Sequence, residues 1–416
     1  MGQFIHLENH IHMKKALLLV VGFLFISTAV FAGGYQVRLQ GNKQTGMGLI
    51  GAPLSFGASS MFYNPGALSF MDGKFAVELG GSAIFSNATY ETYGSDYLAR
   101  TNNPIGTPFY FYAAEKLNKK FAFGLAIYTP YGSAAKWDDN WALKLLIQNI
   151  SLQAIYYQPT ISFNLGNKLG IGAGLIYATG NVKMNSALNY SGNSNFGLNG
   201  NAHNFGFNVG VHYKASDQWS LGVNYRSEIN MNVKNGNATF VVPGSLSSMI
   251  SPTNHFSASL PLPANLDIGV AYQATKKLLL AAELDWVKWS VYDSLSFHFE
   301  TNPQLLNNSS PKLYKDQWIP RIGAQYQVSK KLIVRAGAYY ELSPANRDYF
   351  SPETVSLNTF AYTLGATYTP AKRLSIDLSF IQLFGMKSLM KDLPANVSGY
   401  YKTNTVVPGI GISYHF

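Results

Sequence analysis

Strict alternation of apolar and polar residues most constrains what this chain can become. The run Phe205, Gly206, Phe207, Asn208, Val209, Gly210, Val211, His212, Tyr213 shows it best. Alternate side chains of a strand point to opposite sides. Phe205, Phe207, Val209, Val211 and Tyr213 therefore share one face, which suits lipid. Gly206, Asn208, Gly210 and His212 share the other, which suits water. A soluble sandwich would hide the apolar face in its core. A membrane barrel turns it outward around a polar lumen.

Composition and the amino terminus favour the barrel. Only 12% of the residues are charged, against about 25% in soluble domains. Beyond residue 32 no apolar run reaches the ~20 residues that a spanning helix needs. Residues 1–32 read as an export signal: Met13, Lys14 and Lys15 form a basic start, 16–26 an apolar core, and Val30, Phe31 and Ala32 a small-residue cleavage site. Residues 1–12 lack signal character, so Met13 is a candidate true start. The chain has no cysteine, which excludes a disulfide-stapled small fold. Its net charge of +10 points first to nucleic acid. The basic residues, however, sit in separate turns (Lys119 and Lys120, Lys276 and Lys277, Lys330 and Lys331, Lys372 and Arg373), with no aromatic–basic module. Polar turns at a membrane face account for them, and no nucleic-acid partner is expected.

Those turns set the organisation. Tight turns at 117–120, 166–168, 216–218, 275–277, 329–331 and 371–373 each join two alternating runs and read as hairpins. Longer loops at 87–103, 186–201, 243–254 and 301–312 fall between them. Short turns on one side and long loops on the other are the pattern of an outer-membrane barrel. The count is roughly fourteen strands over 73–416, an all-β antiparallel transmembrane β-barrel with the even number expected of one bacterial chain. Strand seven is read with Trp219, Leu221, Val223, Tyr225, Ile229 and Met231 outward. Strand thirteen places Leu374, Ile376, Leu378 and Phe380 outward, and strand fourteen Val406, Ile410, Ile412, Tyr414 and Phe416.

Residues 33–72 break the pattern. They are glycine-rich, poorly alternating and too apolar for a free tail. An irregular backbone is tolerated at membrane depth only inside protein, so this segment is expected to plug the lumen.

Several strings in order carry a resemblance. Asn64, Pro65, Gly66 and Ala67 precede strand one. Strand three runs from Phe121 to Gly132 and is followed by Lys136, Trp137 and Asp138. Strand seven holds Tyr225, Arg226, Ser227 and Glu228, a late loop opens with Ser343 and Pro344, and the chain ends in Phe416. Over 33–416 the chain resembles the long-chain fatty acid transporter family of outer-membrane proteins (FadL type), which includes aromatic-hydrocarbon channels. The resemblance implies a fourteen-strand barrel closed by an amino-terminal hatch containing Asn64, Pro65, Gly66 and Ala67. It also implies passive uptake of a hydrophobic small molecule, with sideways release through a kink in strand three at Pro130, Tyr131 and Gly132. Proline lacks a ladder donor and glycine a side chain to pack, so a break there is physically reasonable. The partners so implied are the substrate, outer-membrane lipid and lipopolysaccharide, and the barrel assembly machinery acting through Phe416, with the protein as a monomer.

The sequence departs from that pattern in one place. In the family's fatty-acid transporters, basic residues on strands five and nine hold the carboxylate. Here strand five has Lys183 nearby but on the other face, and strand nine (Tyr292 to Ser296) has no base. An uncharged hydrophobe thus stays open beside a fatty acid. The candidate ligand residues are Lys183, Arg226, Arg335, Phe240, Val242 and Leu246. Arg226 and Arg335 face the lumen by alternation, and Glu228, two residues from Arg226, is expected to pair with it. The apolar loop 240–250, and 141–147 as a short amphipathic helix, are candidates for a capture groove or for packing over the barrel mouth.

Rival functions find less support. The histidines His203, His212, His255 and His298 lack catalytic or metal spacing, and neither a Gly-x-Ser-x-Gly elbow nor a His-Glu-x-x-His helix is present. No enzyme activity, metal or cofactor is expected. A general porin needs an open, charge-lined bore, which a plug would block. A structural barrel is the remaining alternative.

Overall fold

The alternating runs form one antiparallel sheet that closes on itself. The computed structural model describes residues 34–190 and 193–416; the export signal and Met13 lie outside them. The sheet's hydrogen-bonded segments join end to end into fourteen staves. They are β1 (75–92), β2 (98–116), β3 (Phe121–Lys136), β4 (Asn149–Leu165), β5 (Leu169–Ala187), β6 (Asn195–Lys214) and β7 (219–241) in the first half. In the second are β8 (253–273), β9 (278–299), β10 (308–327), β11 (Leu332–Glu341), β12 (Thr359–Ala371), β13 (374–392) and β14 (Val397–His415). β1 closes the ring against β14, with Ala76 opposite His415 and Ser82 opposite Gly409. Closure removes the sheet edges, as hydrocarbon demands. No helix among the described residues is long and apolar enough to cross a membrane.

The alternation holds where it is strongest. Phe205 is 61% exposed, and Phe207, Val209, Val211 and Tyr213 are exposed with it, while Asn208 and His212 are buried. Leu378, Ile410, Ile412 and Tyr414 likewise face outward. β7 departs from expectation. Trp219, Leu221 and Val223 are exposed, but Ile229 and Met231 are buried and Asn230 is exposed. β7 and β8 lose strand geometry together at 227–228 and 263–264, and both change face there while keeping one register. Two expected loops are shorter than read: β1 and β2 continue through 85–92 and 98–100, and β6 starts at Asn195. Residues 141–147 form turns rather than a helix. Trp141 is buried in a face-to-face stack with Trp137, centroids 4.1 Å apart, so packing rather than amphipathicity sets that loop.

Residues 34–72 lie within the ring, touching staves on every side. Asn64 bonds the Val211 carbonyl of β6, Asn42 meets Tyr110 of β2 and Ser379 of β13, and Gly48 donates to Thr363 of β12. Backbone without regular structure needs partners, and the wall supplies them. Glu283 accepts from the Gly51 and Ala52 N–H groups at 3.0 and 2.7 Å, and Glu78 from Ala58 at 2.6 Å. The fit is close: a Cβ at Gly222 of β7 would lie 1.8 Å from the Ala52 carbonyl oxygen, and one at Gly210 of β6 2.2 Å from Asn64 Oδ1.

Candidate functional site

β3 leaves its ladder with β2 partway along. Their pairing runs from Ala122 opposite Lys116 to Tyr128 opposite Tyr110 and stops there. Contact resumes near the far end, where Asn102 N–H donates to the Lys136 carbonyl at 2.8 Å. Pro104 and Pro108 on β2 and Pro130 on β3 cannot donate, which disfavours a ladder here. β3 also shifts register against β4 between Tyr128 and Tyr131. The chain inside the barrel takes up the freed edge. Val37 N–H donates to the Pro130 carbonyl at 2.8 Å, and Gly132 N–H to the Tyr35 carbonyl at 2.9 Å.

Behind this break lies a cavity of about 370 Å³, within the ~300–1,000 Å³ range of small-molecule sites. Val37, Leu39, Leu152, Ile319, Ile381 and Val407 line it. Ile105 lines it too and is 55% exposed, so the cavity reaches the outer surface at the break. A smaller annex of about 60 Å³ shares Ser133, Leu152, Glu353 and Thr354 with it. The annex walls are mainly apolar, with Val182, Met184, Val233, Phe256, Leu260 and Phe297. Tyr35 closes one side, edge-on to Trp289 and Tyr292 at 4.8 and 5.7 Å.

Charge in the cavities is committed or negative. Arg38 is the one cation among the lining residues described, and Asp267 and Asp285 hold it at 2.8 and 2.7 Å. The lining carboxylates are Glu341 and Glu353, and Glu353 pairs with buried Lys312 at 2.6 Å. An incoming anion meets no free positive charge here.

The sequence-derived residues fall in different places. Asn64 is buried between the Ala52 and Val211 carbonyls, at 2.7 and 2.9 Å, and accepts from Gly66 N–H at 3.0 Å. Pro65, Gly66 and Ala67 belong to the buried 3-10 turn Pro65–Phe70 that follows. Pro130, Tyr131 and Gly132 stand at the break, with Tyr131 donating to the Pro263 carbonyl at 2.9 Å. Lys183 is exposed on the outer face, because alternation along β5 turns its neighbours Val182 and Met184 to the annex instead. Arg226 does not pair with Glu228. It donates to the Phe62 carbonyl at 2.6 Å and lies 4.0 Å over the Phe62 ring, while Glu228 meets Lys288 at 3.7 Å across the changed face. Arg335 bonds Gln325 and Thr367 and covers Phe56, so it too supports the inner segment rather than a cavity. Phe240 packs on Phe196 and Phe299, with Val242 half-buried against the same cluster. Leu246 is half-buried in the loop turn Gly244–Leu246. None of these three lines either cavity.

Sequence reasoning missed the buried network of Arg38, Asp267, Asp285 and Arg321, in which Arg321 reaches Asp285 at 2.9 Å. Its signal was available: Asp267 precedes outward Ile268, Asp285 follows outward Leu284, and Arg321 precedes outward Ile322.

Comparison with known proteins agrees with this architecture. Residues 23–416 match the family described as outer membrane protein transport protein (OMPP1/FadL/TodX). A long-chain fatty acid transport protein of Escherichia coli O6:H1 is 20% identical over 91% of this chain and 93% of its own. The crystal structure of a Pseudomonas aeruginosa FadL homologue superposes with a TM-score of 0.81 at 20% identity, covering 92% of this chain and 100% of its own. The toluene transporter TodX of Pseudomonas putida gives 0.73 at 17% identity, with 94% and 100% covered.

Proposed function

This chain belongs to the outer membrane protein transport protein family (OMPP1/FadL/TodX), which places it among bacterial outer-membrane transporters of hydrophobic substrates, and on that premise we propose that it is a passive channel releasing an uncharged hydrophobic molecule sideways between β2 and β3. The observation that carries the reading is the cavity that ends at the break in the wall. Residues 33–72 serve as the hatch over the barrel 73–416 and block the straight path. A hydrophobic guest gains about 0.8 kcal/mol per methylene in an apolar site. A water-filled bore offers no such gain, whereas a cavity opening into the bilayer spares the guest an aqueous crossing. Relatives carry both fatty-acid and toluene names. The lining of this chain favours the neutral class, since Arg38 is held by Asp267 and Asp285, Glu353 is paired with Lys312, and no free cation is left among the lining residues described to meet a carboxylate. Lipopolysaccharide around the outer rim, and an assembly machine recognising Phe416, are the partners that fit a monomeric barrel.

The test compares uptake of a labelled alkylbenzene and a labelled long-chain fatty acid in cells with and without the chain. The alkylbenzene should depend on the protein more strongly. Uptake of both probes left unchanged by loss of the protein would refute a role for these substrates.

A further inference from the structure

A second break lies on the far side of the annex. The β8–β9 ladder runs from Asn265 opposite Val287 toward the periplasmic turns and holds again at Ala258 opposite Phe297. Between them, past a bond from Lys288 N–H to the Ala264 carbonyl, residues 259–263 face 289–296 without pairing. The local chemistry matches the first break. Pro261 and Pro263 stand two apart, so their backbones turn to the same side, and neither has an N–H to offer. Their carbonyls accept instead from the Tyr35 and Tyr131 hydroxyls inside the barrel. The edge is thus satisfied without β9.

The β6–β7 ladder is interrupted as well, between Asn208 opposite Arg226 and Asn199 opposite Asn237. That interruption is filled: Ile229 packs onto Gly206 and Val233 onto Gly200, and both are buried. The β8–β9 break is not. Ser259 is exposed and lines the annex, and half-buried Leu260 and Leu295 line it on either side of the break. A residue that meets both solvent and cavity marks a mouth.

Its level and rim differ from the first. Trp286 and Trp318 are paired on β9 and β10 just below this break, and such aromatics mark the outer bilayer interface. The rim carries Ser257, Ser259, Ser294 and Ser296 beside exposed Asp293. The rim of the first break carries Ile84, Pro104, Ile105 and Pro108. We infer that the β8–β9 break is an inlet that takes uncharged hydrophobes, including hydroxylated ones, from the headgroup layer into the annex. The guest then passes Leu152 to the main cavity and the apolar-rimmed break between β2 and β3. This rests on the sideways-release reading, and Asp293 disfavours anionic guests at the inlet.

The cysteine-free chain permits a test that does not depend on transport. Val233→Cys places a thiol on the buried annex wall, to be modified in whole cells by a small uncharged alkyl methanethiosulfonate. Ser259→Trp should slow the labelling strongly and Gly132→Trp should leave it nearly unchanged, with heat-modifiable migration confirming folded barrels. Labelling indifferent to Ser259→Trp would overturn the inlet, as would labelling stopped by Gly132→Trp alone. Alkylbenzene uptake in the same variants judges the transport reading separately. Uptake untouched by Gly132→Trp would refute release between β2 and β3 while leaving the labelling result to decide the inlet.

Discussion

Replacing Asn64 should loosen the inner segment without dissolving the barrel. Its side chain makes three hydrogen bonds at zero exposure: to the Ala52 carbonyl, to the Val211 carbonyl, and from Gly66 N–H. Asn64→Ala removes all three bonds. At about 1 kcal/mol net for each bond the loss is about 3 kcal/mol, more if no water enters. The loss falls on local opening of the segment, because the staves keep their own ladders. An opening equilibrium shifted by 3 kcal/mol changes about a hundredfold. Amide hydrogen exchange in residues 64–71 should speed up by that order, while amides of β6 such as Val209 stay protected. Asn64→Asp should be worse, since it sets a carboxylate against two carbonyl oxygens. Unchanged protection over 64–71 in Asn64→Ala would show that this side chain does not anchor the segment.

Other substitutions probe the same architecture. Gly222→Val should displace residues 51–53, because even a Cβ meets the Ala52 carbonyl oxygen; proteolysis near Ala52 should increase while the barrel stays heat-modifiable. Arg38→Met strands Asp267 and part of Asp285, at a cost of about 3–5 kcal/mol for breaking a buried pair; thermal unfolding should fall clearly and recover in part with Asp267→Asn. Lys183→Ala should leave alkylbenzene affinity unchanged, since the side chain lies outside, whereas Met184→Lys should weaken it by placing a charge in the annex.

How much of this was legible follows from the physics of each residue. Period-two alternation is local, so the outward face of β6 and the ends of β13 and β14 could be read directly. Lys183 was also legible by parity, since Val182 and Met184 had to point the other way. The face change at 227–228 was not, because it depends on β8 turning with β7 at 263–264. The role of Arg226 was hidden because its partner is a backbone carbonyl on Phe62, distant in sequence and without alternation of its own. The first break was announced by Pro130 and Gly132. Gly132 is not there for want of space, since a Cβ would meet only the Leu152 carbonyl oxygen at an ordinary 3.4 Å. The break owes more to the bonds that Tyr35 and Val37 make with β3, which only the folded chain displays.

Sideways passage with a fixed hatch can be tested by locking the hatch to the wall. Ser69 N–H donates to the Ser162 hydroxyl at 3.3 Å, and both hydroxyls donate to the Gly66 carbonyl, so the two side chains meet and cysteines at these positions are the pair to join. Alkylbenzene uptake by the Ser69→Cys, Ser162→Cys variant should be the same oxidised and reduced, because the guest never crosses residues 34–72. Uptake lost on oxidation and restored by reductant would mean that the hatch must move, and that the path runs through the bore rather than the wall.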